Sequence, residues 1–594
     1  MTHFKENLAV IQQRFPNIVN RIVEIEEDSL NASSLPEEPL KKDEAWLEAV
    51  KGSVGDIKVV FVYGFSQGVA LADLLETYPD RFFIVYEPDE VVFRNSMHTY
   101  DMRELLAWPQ LLWVAVGESQ LKMLFYKICT YMDQELAFVA LRHHLEERLD
   151  LLQEIKHDFE EYHRTFLSNR RTEKHFQKTW IENSLKQLSG MLTSPSITEL
   201  AGVYSGSTAV IIASGPSLEK DIEWVRKFQN HALIISAGSS IQALIKHNIV
   251  PHLATIMDGG SINAKVFENP KTLAPPLLYG STAYHGVSDQ KKSETIHAII
   301  QNDNIGKYCM GMSEQDPTIL PTPTVTGTAI QAAAWLGASR IVMMGQDLSF
   351  QEGKFYANGV EHSDEKYSEQ VVKQAQHTVH NVDGGLNQTT ESFLYMKDGL
   401  ESLISMLPNI EFVNATRGGA VIEGTIWKPA EDVYKQIKHQ SIENDSICKL
   451  LARVEFPQLK EKVTFVKSRV EHLLLDFASI NEELGVMQKQ IDKLQIQSRS
   501  NASKAWKTME SIEMIWGKIA EREWFSSVFE TLLSDQLGDF DRILPEIAIE
   551  KDIRKKSDLV YRYLGGLGKD IQGEVPFIQK LLSESLEKMA EIKV

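Results

Sequence analysis

Short apolar runs, each almost free of polar residues, recur along two stretches of the chain. They include FFIVY and LLWVAV in the first stretch, and AVIIA, ALIIS and IVMMG in the second. Continuous apolar runs of this length are typical of strands that are buried on both faces of a parallel sheet. Helical patterns separate the runs, as in a sheet that is covered by helices. The pattern therefore predicts two Rossmann-like α/β domains with parallel sheets.

Helical periodicity dominates the rest of the chain. The charged stretch HLEERLDLLQEIKHDFEEYHRTFLSNRR contains no proline, and glycine becomes scarce after about residue 430. Both features indicate long helices, and the second region predicts a helical bundle. We expect an α/β multidomain chain with the following parts: an N-terminal helical segment (1–50), an N-terminal Rossmann-like domain (51–135), a helical connector (136–195), a central α/β domain (196–430) and a C-terminal α-helical bundle (431–594).

Length and net charge limit the number of domains and the kinds of partner that we expect. The 594 residues exceed what one hydrophobic core usually supports, and 82 acidic against 62 basic residues give a net charge of -20. This balance argues against nucleic-acid binding and against anionic membranes, although a local basic pocket for an anionic ligand is compatible with it. No secretion signal and no membrane-spanning run is recognisable, and the three cysteines lack metal-ligand spacing. We expect a cytoplasmic protein.

The most informative single loop is the Ser-Gly-Pro-Ser turn at Ser214–Ser217. It lies between a predicted buried strand and a predicted helix. A helix start offers unpaired N–H groups and the positive end of a dipole, which suits a phosphate. The acidic residues Glu219 and Asp221 in the first turns of that helix already satisfy the dipole, which favours a capped turn. From these residues alone the phosphate loop and the plain turn are equally supported.

Several other strands of the central domain end in small polar residues. Because the carboxyl ends of parallel strands meet at one edge of a sheet, where ligands bind beside the reversal of strand order, these endings favour a ligand site. A further Thr-Gly-Thr stretch at the start of a predicted helix suits a phosphate or carboxylate, with simple N-capping as the alternative. The segments are Ser236–Ser240, Asp258–Gly260, Gly280–Thr282, Gly345–Asp347 and Thr326–Thr328.

The N-terminal α/β domain has its own glycine turn, Gly64–Gly68, and an acid, Glu87, at the end of the next strand. This arrangement is typical of a nucleotide or S-adenosylmethionine site. The turn departs from Gly-x-Gly-x-x-Gly because Phe, Ser and Gln occupy its middle. We therefore predict a domain that has kept the turn and lost the cofactor.

Three segments together resemble one known family. ASGPSLEKDIEWV, TPTVTGTAIQAAAWLGASRIVMMGQDLSF and NATRGGAVIEGT, in this order, are similar to the motility accessory factor (Maf) family of flagellin glycosyltransferases, and YGFSQG and YEPD also fit. The resemblance extends over about residues 55–430. It implies a cytoplasmic transferase, needed for flagellum assembly and motility. Such an enzyme moves pseudaminic or legionaminic acid from a CMP-activated donor to serine and threonine hydroxyls of flagellin.

The resemblance also implies a catalytic central domain that is similar to the sialyltransferase fold, with CMP at the Gly-Pro-Ser loop. The chemistry of a CMP-activated donor calls for no tightly bound cofactor, and a metal is not obligatory if helix starts stabilise the departing phosphate. The implied nucleotide and donor contacts are Ser214, Gly215, Pro216, Ser217, Ser236, Ala237, Gly238, Asp258, Ser281, Thr282, Thr326, Gly327 and Thr328, with Asp347 at the site in no assigned role.

The base that accepts the proton of the acceptor hydroxyl is less clearly marked. His362, in FYANGVEHSDE, and His285, in STAYHG, follow strand ends and titrate near neutrality, and Asp258 is an acidic alternative. We rank His362 slightly first, against the alternative that both histidines are ordinary loop residues. The Asp-x-Asp at Asp539–Asp541 lies in the helical region, where we expect a solvated helix end and no metal site.

Two other functions fit parts of the sequence. The central motifs also resemble archaeal pterin diphosphokinases, which transfer diphosphate from ATP, although such a small kinase needs neither the first α/β domain nor the C-terminal bundle. The chain is alternatively a non-catalytic flagellin-binding export factor, whose helical ends bind flagellin helices through apolar stripes. The sequence specifies neither the acidic sugar nor the oligomeric state.

Overall fold

The computed structural model describes residues 3–23, 42–132, 135–351, 353–361, 365–373, 375–456 and 458–593. The chain forms two compact units, and each combines segments that are distant in sequence. The first unit comprises Met1–His175, Gly485–Ile515 and Leu533–Asp570, and the second comprises Phe176–Leu484, Trp516–Leu532 and Ile571–Val594.

The first unit contains a four-stranded parallel sheet with the strand order β3-β2-β1-β4. Every residue of its two central strands is buried, which explains the continuous apolar runs. The order reverses between β1 and β4. The strands are β1 (Val59–Tyr63), β2 (Phe82–Glu87), β3 (Leu111–Val116) and β4 (Ala137–Ala140). The helices up to the end of the connector are α1 (Phe4–Arg14), α2 (Val19–Val23), α3 (Glu44–Val54), α4 (Val69–Thr77), α5 (Glu90–Thr99), α6 (Arg103–Leu106), α7 (Leu121–Tyr131), α8 (Arg142–Glu147) and α9 (Leu149–Leu192).

The second unit contains an eight-stranded parallel sheet with the order β14-β13-β10-β5-β6-β7-β8-β9. The chain runs outward from β5 to β9 and then returns to place β10 on the other side of β5, so the strand order reverses between β5 and β10. The strands are β5 (Thr208–Ile212), β6 (Leu233–Ala237), β7 (Leu253–Ile256), β8 (Leu277–Gly280), β9 (Thr295–Ala298), β10 (Arg340–Met344), β13 (Glu411–Asn414) and β14 (Ile426–Trp427), with an antiparallel hairpin of β11 (His377–His380) and β12 (Leu386–Thr389).

Helices cover both faces of this sheet. Along β5, Ala209 and Ile211 belong to one apolar core, whereas Val210 and Ile212 belong to the core of the opposite face. Successive side chains of a strand point to opposite faces of the sheet. A strand in a sheet that is buried on both sides therefore contributes to two cores in alternation. The helices are α10 (Leu218–Phe228), α11 (Ser240–Lys246), α12 (Asn263–Val266), α13 (His285–Lys291), α14 (Asn304–Met310), α15 (Val325–Leu336), α16 (Glu365–Lys373), α17 (Glu391–Ser405), α18 (Ala430–Ile437) and α19 (Ser446–Leu451).

The C-terminal region is helical, as predicted. The helices are α20 (Leu459–Ser500), α21 (Ala502–Ala520), α22 (Phe525–Leu532), α23 (Ser534–Ile549), α24 (Ile553–Arg562) and α25 (Leu564–Ala590). Within the described ranges, no helix combines the length and the hydrophobicity that a membrane span requires. The predicted architecture of two parallel α/β sheets with a C-terminal helical region is therefore confirmed.

Candidate active site at the switch point of the central sheet

A cavity of about 300 Å³ lies at the carboxyl edge of the eight-stranded sheet, where the strand order reverses. The loops after β5, β6, β7 and β10 form its polar side, and the start of α15 completes that side. This is the position at which open parallel sheets bind ligands, because the two neighbouring loops diverge there and leave a crevice. The residues that the cavity brings together include Ser214, Gly215, Ala237, Gly238, Asp258, Thr326 and Asp347.

Asp258, which follows β7, presents a carboxylate to the cavity. Its backbone carbonyl accepts hydrogen bonds from the side chain of Asn263 and the N–H of Tyr284, both at 3.0 Å, which fix the loop. Within the described part of the chain, no hydrogen-bond donor pairs with the carboxylate itself. Asp258 is exposed at the cavity, and the protein atoms packed around its carboxylate desolvate it in part, which raises the pKa of Asp258. A carboxylate in this state is suited to accept a proton.

Asp347, which follows β10, is buried and is engaged with the Ser-Gly-Pro-Ser loop. Its Oδ2 accepts hydrogen bonds from the hydroxyl of Ser217 at 2.7 Å and from the N–H of Ser217 at 3.3 Å. Its Oδ1 accepts one from the Nε2 of Gln351 at 2.6 Å. Desolvation raises the pKa of Asp347 to about 7, and the hydrogen bonds from Ser217 oppose this effect.

This pairing explains why the loop contains a glycine. A Cβ on Gly215 would collide with the Oδ2 of Asp347 and would lie 2.6 Å from the carbonyl oxygen of Gly345. No side chain larger than hydrogen fits there. Ser217 is buried against the carboxylate and does not line the cavity, so its hydroxyl serves an internal partner, while Ser214 and Gly215 remain at the cavity wall.

The start of α15 points at the cavity. Thr324 is the N-cap, and its hydroxyl accepts the N–H of Thr326 at 3.4 Å. The hydroxyl of Thr326 donates to the Oε1 of Gln346 at 2.6 Å, which ties the helix start to the loop after β10. The N–H groups of Thr326 and Gly327 are hydrogen-bonded to Thr324, and the dipole of this twelve-residue helix favours a negative charge at the cavity.

The loop after β10 also contains a residue in an unfavourable backbone conformation. Leu348 lines the cavity with a φ of 48°, in the left-handed region that a branched side chain rarely adopts. The hydroxyl of Thr389 donates to the carbonyl of Leu348 at 2.9 Å, and the N–H of Ala420 donates to the carbonyl of Asp347 at 2.8 Å. Strain of this kind persists where the surrounding structure enforces it, and it is concentrated at functional sites.

The opposite side of the cavity is apolar. Phe355 and Tyr356 come from the segment after β10, and Phe393 and Met396 come from the first turns of α17. All four side chains are half-buried. Sequence reasoning missed this wall, because Phe393 and Met396 follow the spacing of an ordinary core-facing helix and lie far along the chain from the strand ends.

The remaining predicted site residues that the structure describes do not line the cavity. The hydroxyl of Thr328 contacts the sulfur of Met257 at 2.8 Å, and that of Ser281 accepts the N–H of Ile300 at 3.2 Å. The Nδ1 of His285 is 3.0 Å from the Oδ1 of Asn183, and desolvation lowers the pKa of His285. The predicted residues that do not line the cavity are Pro216, Ser217, Ser236, Ser281, Thr282, His285, Gly327 and Thr328. His362 lies outside the described residues.

The glycine turn of the first sheet is filled by a side chain of the protein. The carboxylate of Glu87 accepts the N–H groups of Phe65 at 2.8 Å, Ser66 at 3.0 Å and Asp89 at 3.1 Å. Glu87 is buried, and desolvation raises its pKa. Its carboxylate thus occupies the N–H groups that would otherwise bind the phosphate of a nucleotide.

Among the described residues, no cluster of potential metal ligands lines the cavity. The one cluster of three suitable side chains in the described ranges is in the first unit and consists of His3, Glu6 and Asp101. Asp539 and Asp541 lie exposed in α23, where Asp539 forms an ion pair with Arg542. Neither group lines the cavity.

Comparisons with known proteins add two findings. A family model described as 6-hydroxymethylpterin diphosphokinase MptE-like matches residues 182–353, which include the strands from β5 to β10. The solved structure of the Maf glycosyltransferase from Magnetospirillum magneticum AMB-1 is similar with a TM-score of 0.60 and 15% sequence identity, over 100% of this chain and 99% of that chain. The chain has the fold of a Maf glycosyltransferase.

The predicted resemblance to this family is thus confirmed at the level of the fold, over the full length of the chain. No curated protein matches the chain in sequence.

Proposed function

We propose that the chain is a glycosyltransferase that moves an acidic nine-carbon sugar, pseudaminic or legionaminic acid, from a CMP-activated donor to serine and threonine hydroxyls of flagellin in the cytoplasm. The observation that carries the proposal is the switch-point cavity, which combines the carboxylate of Asp258 with the start of α15 and an apolar wall. The whole-length likeness in fold to a Maf glycosyltransferase supports the same activity.

The reaction breaks the bond between the sugar's anomeric carbon and a phosphate oxygen of CMP, and it forms a bond from that carbon to the acceptor oxygen. The acceptor hydroxyl must lose a proton, and Asp258 is the proposed base, because its carboxylate is desolvated and faces the cavity. The departing CMP gains negative charge on its phosphate. The dipole at the start of α15 stabilises that charge.

Asp347 has a different role in this proposal. Its carboxylate holds Ser217 and Gln351, so it positions the loop that carries Ser214 and Gly215 at the nucleotide. It is a positioning residue, and the acid at the reacting atoms is Asp258. His362 stays a prediction from the sequence.

The second candidate is a diphosphokinase that uses ATP, and the family match over residues 182–353 favours it. Such an enzyme binds magnesium through carboxylates and the phosphates of its substrate. The likeness to a glycosyltransferase extends over the whole chain, whereas the family match covers its central part, and we therefore place the kinase second.

Thermal stabilisation by nucleotides separates the two candidates. A ligand that binds the folded protein at 100 times its dissociation constant adds ~2.7 kcal/mol to the free energy of unfolding. We expect CMP to raise the melting temperature with and without magnesium, and ATP with magnesium to leave it unchanged. Stabilisation by ATP with magnesium and none by CMP would reject the glycosyltransferase in favour of the kinase.

A further inference from the structure

The apolar wall of the cavity is a compact aromatic cluster. The rings of Phe355 and Phe393 are nearly parallel, with an interplanar angle of 16° and a centroid distance of 5.6 Å. Phe350 lies behind them, 5.3 Å from Phe393, and is buried. Phe355 and Phe393, by contrast, are half-buried and line the cavity. Ring surface therefore faces the space that a ligand would fill.

Backbone hydrogen bonds hold both rings in place. The N–H of Ala357 donates to the carbonyl of Ser214 at 2.9 Å, and this bond ties the segment that carries Phe355 to the loop after β5. The N–H of Phe393 donates to the hydroxyl of its helix cap, Thr390, at 3.2 Å. The backbone segments that carry the wall are thus held by the protein's own hydrogen bonds, and a preorganised surface loses less conformational entropy on binding.

The wall adjoins the start of α15. Pro323, just before that helix, packs on α17 so closely that a Cβ on Gly399 would lie 2.5 Å from its ring. One compact space is therefore bounded by an aromatic surface, by a helix start that favours an anion, and by the carboxylate of Asp258. Its volume of about 300 Å³ is at the lower end of the ~300–1,000 Å³ of ligand pockets, which suits the CMP part of the donor.

We propose that Phe355 and Phe393 form the base subsite of the donor. The cytosine ring packs on this wall, the phosphate faces the start of α15, and the sugar extends towards Asp258. Aromatic side chains stack on nucleotide bases. This contact contributes binding energy in addition to that of hydrogen bonds. This inference rests on the proposed function, because it takes the ligand of the cavity to be a CMP-activated sugar.

The test measures the dissociation constants of CMP and of ribose 5-phosphate by calorimetry on the full-length protein. Because one base–aromatic contact contributes ~1–3 kcal/mol, Phe355→Ala and Phe393→Ala should each weaken CMP binding by about 5- to 160-fold. Ribose 5-phosphate, which has the phosphate but no base, should bind each variant as it binds the wild type. Phe355→Leu, which keeps an apolar side chain without the flat ring, should behave like Phe355→Ala.

Tyr395→Ala is the matched control, because Tyr395 is an exposed aromatic residue on α17. It should leave both dissociation constants unchanged. Equal weakening of CMP and ribose 5-phosphate, or unchanged CMP binding, in the phenylalanine variants would overturn the base subsite alone, provided that the wild type binds CMP. A wild type that binds no CMP would reject the proposed function together with the subsite.

Discussion

Replacing Asp347 by asparagine tests the electrostatics of the central sheet. The carboxylate is 4% exposed, and it accepts hydrogen bonds from Ser217 and Gln351. An increase of its pKa from 3.8 to about 7 corresponds to ~4 kcal/mol, at ~1.4 kcal/mol for each tenfold change in proton affinity. Asparagine has nearly the same shape as the protonated acid and has no charge to bury.

The direction in which the stability changes with pH follows from the protons that the folded and unfolded states bind. Between about pH 4 and pH 7 the folded protein holds the proton of Asp347 and the unfolded chain does not, so the free energy of unfolding of the wild type falls as the pH rises. The Asp347→Asn variant has no carboxyl group at this position, so it does not lose this part of the free energy of unfolding as the pH rises. The stability of the variant relative to the wild type should therefore increase by up to ~4 kcal/mol from pH 4 to pH 7, and it should stay constant above that.

Urea denaturation at pH 4.5, 6, 7 and 8, followed by circular dichroism, measures this difference. Asp432→Asn is the control for the loss of one negative charge, because Asp432 is a half-exposed aspartate of the same unit. A stability difference for Asp347→Asn that is flat or that falls with pH would refute a desolvated environment for this acid.

Three further variants test the site and the first sheet. Asp258→Asn should lower turnover by ~100-fold or more, because it removes the proton acceptor, while calorimetry shows unchanged CMP binding; normal turnover would exclude this base. Gly215→Ala should lower the free energy of unfolding by ~1–3 kcal/mol, because the added methyl meets Asp347, whereas Gly517→Ala, in open space, should not. Glu87→Ala leaves buried N–H groups of the first glycine turn without an acceptor, so it should lower the free energy of unfolding in urea by ~1–3 kcal/mol. CMP binding should stay intact. An unchanged stability would contradict this role of Glu87.

Much of the fold was predictable because the strands are buried on both faces. AVIIA and IVMMG are recognisable as strands without any knowledge of their partners, and the polar residues that follow them predict the edge at which the N–H of Gly215 meets the carbonyl of Gly345. The alternation of strands and helices then leaves parallel sheets as the natural architecture.

Long-range pairings were not predictable. Ser217 and Asp347 are 130 residues apart, and no local sequence pattern indicates that Asp347 accepts hydrogen bonds from Ser217. Phe393 belongs to the cavity only because α17 packs beside α15. The assignment of segments after residue 485 to the first unit likewise depends on tertiary contacts, because amphipathic periodicity identifies a helix without identifying its partner.

The most direct measurement of the central claim is the intact mass of flagellin that is co-expressed with this protein and with a pathway that supplies the CMP-activated nonulosonic acid. The wild type should add whole multiples of the nonulosonic acid residue mass to flagellin, and Asp258→Asn, at equal expression, should leave most of the flagellin unmodified. Unmodified flagellin in the presence of wild-type protein, with the activated donor detected in the same cells, would contradict the glycosyltransferase account and favour a flagellin-binding factor without catalysis.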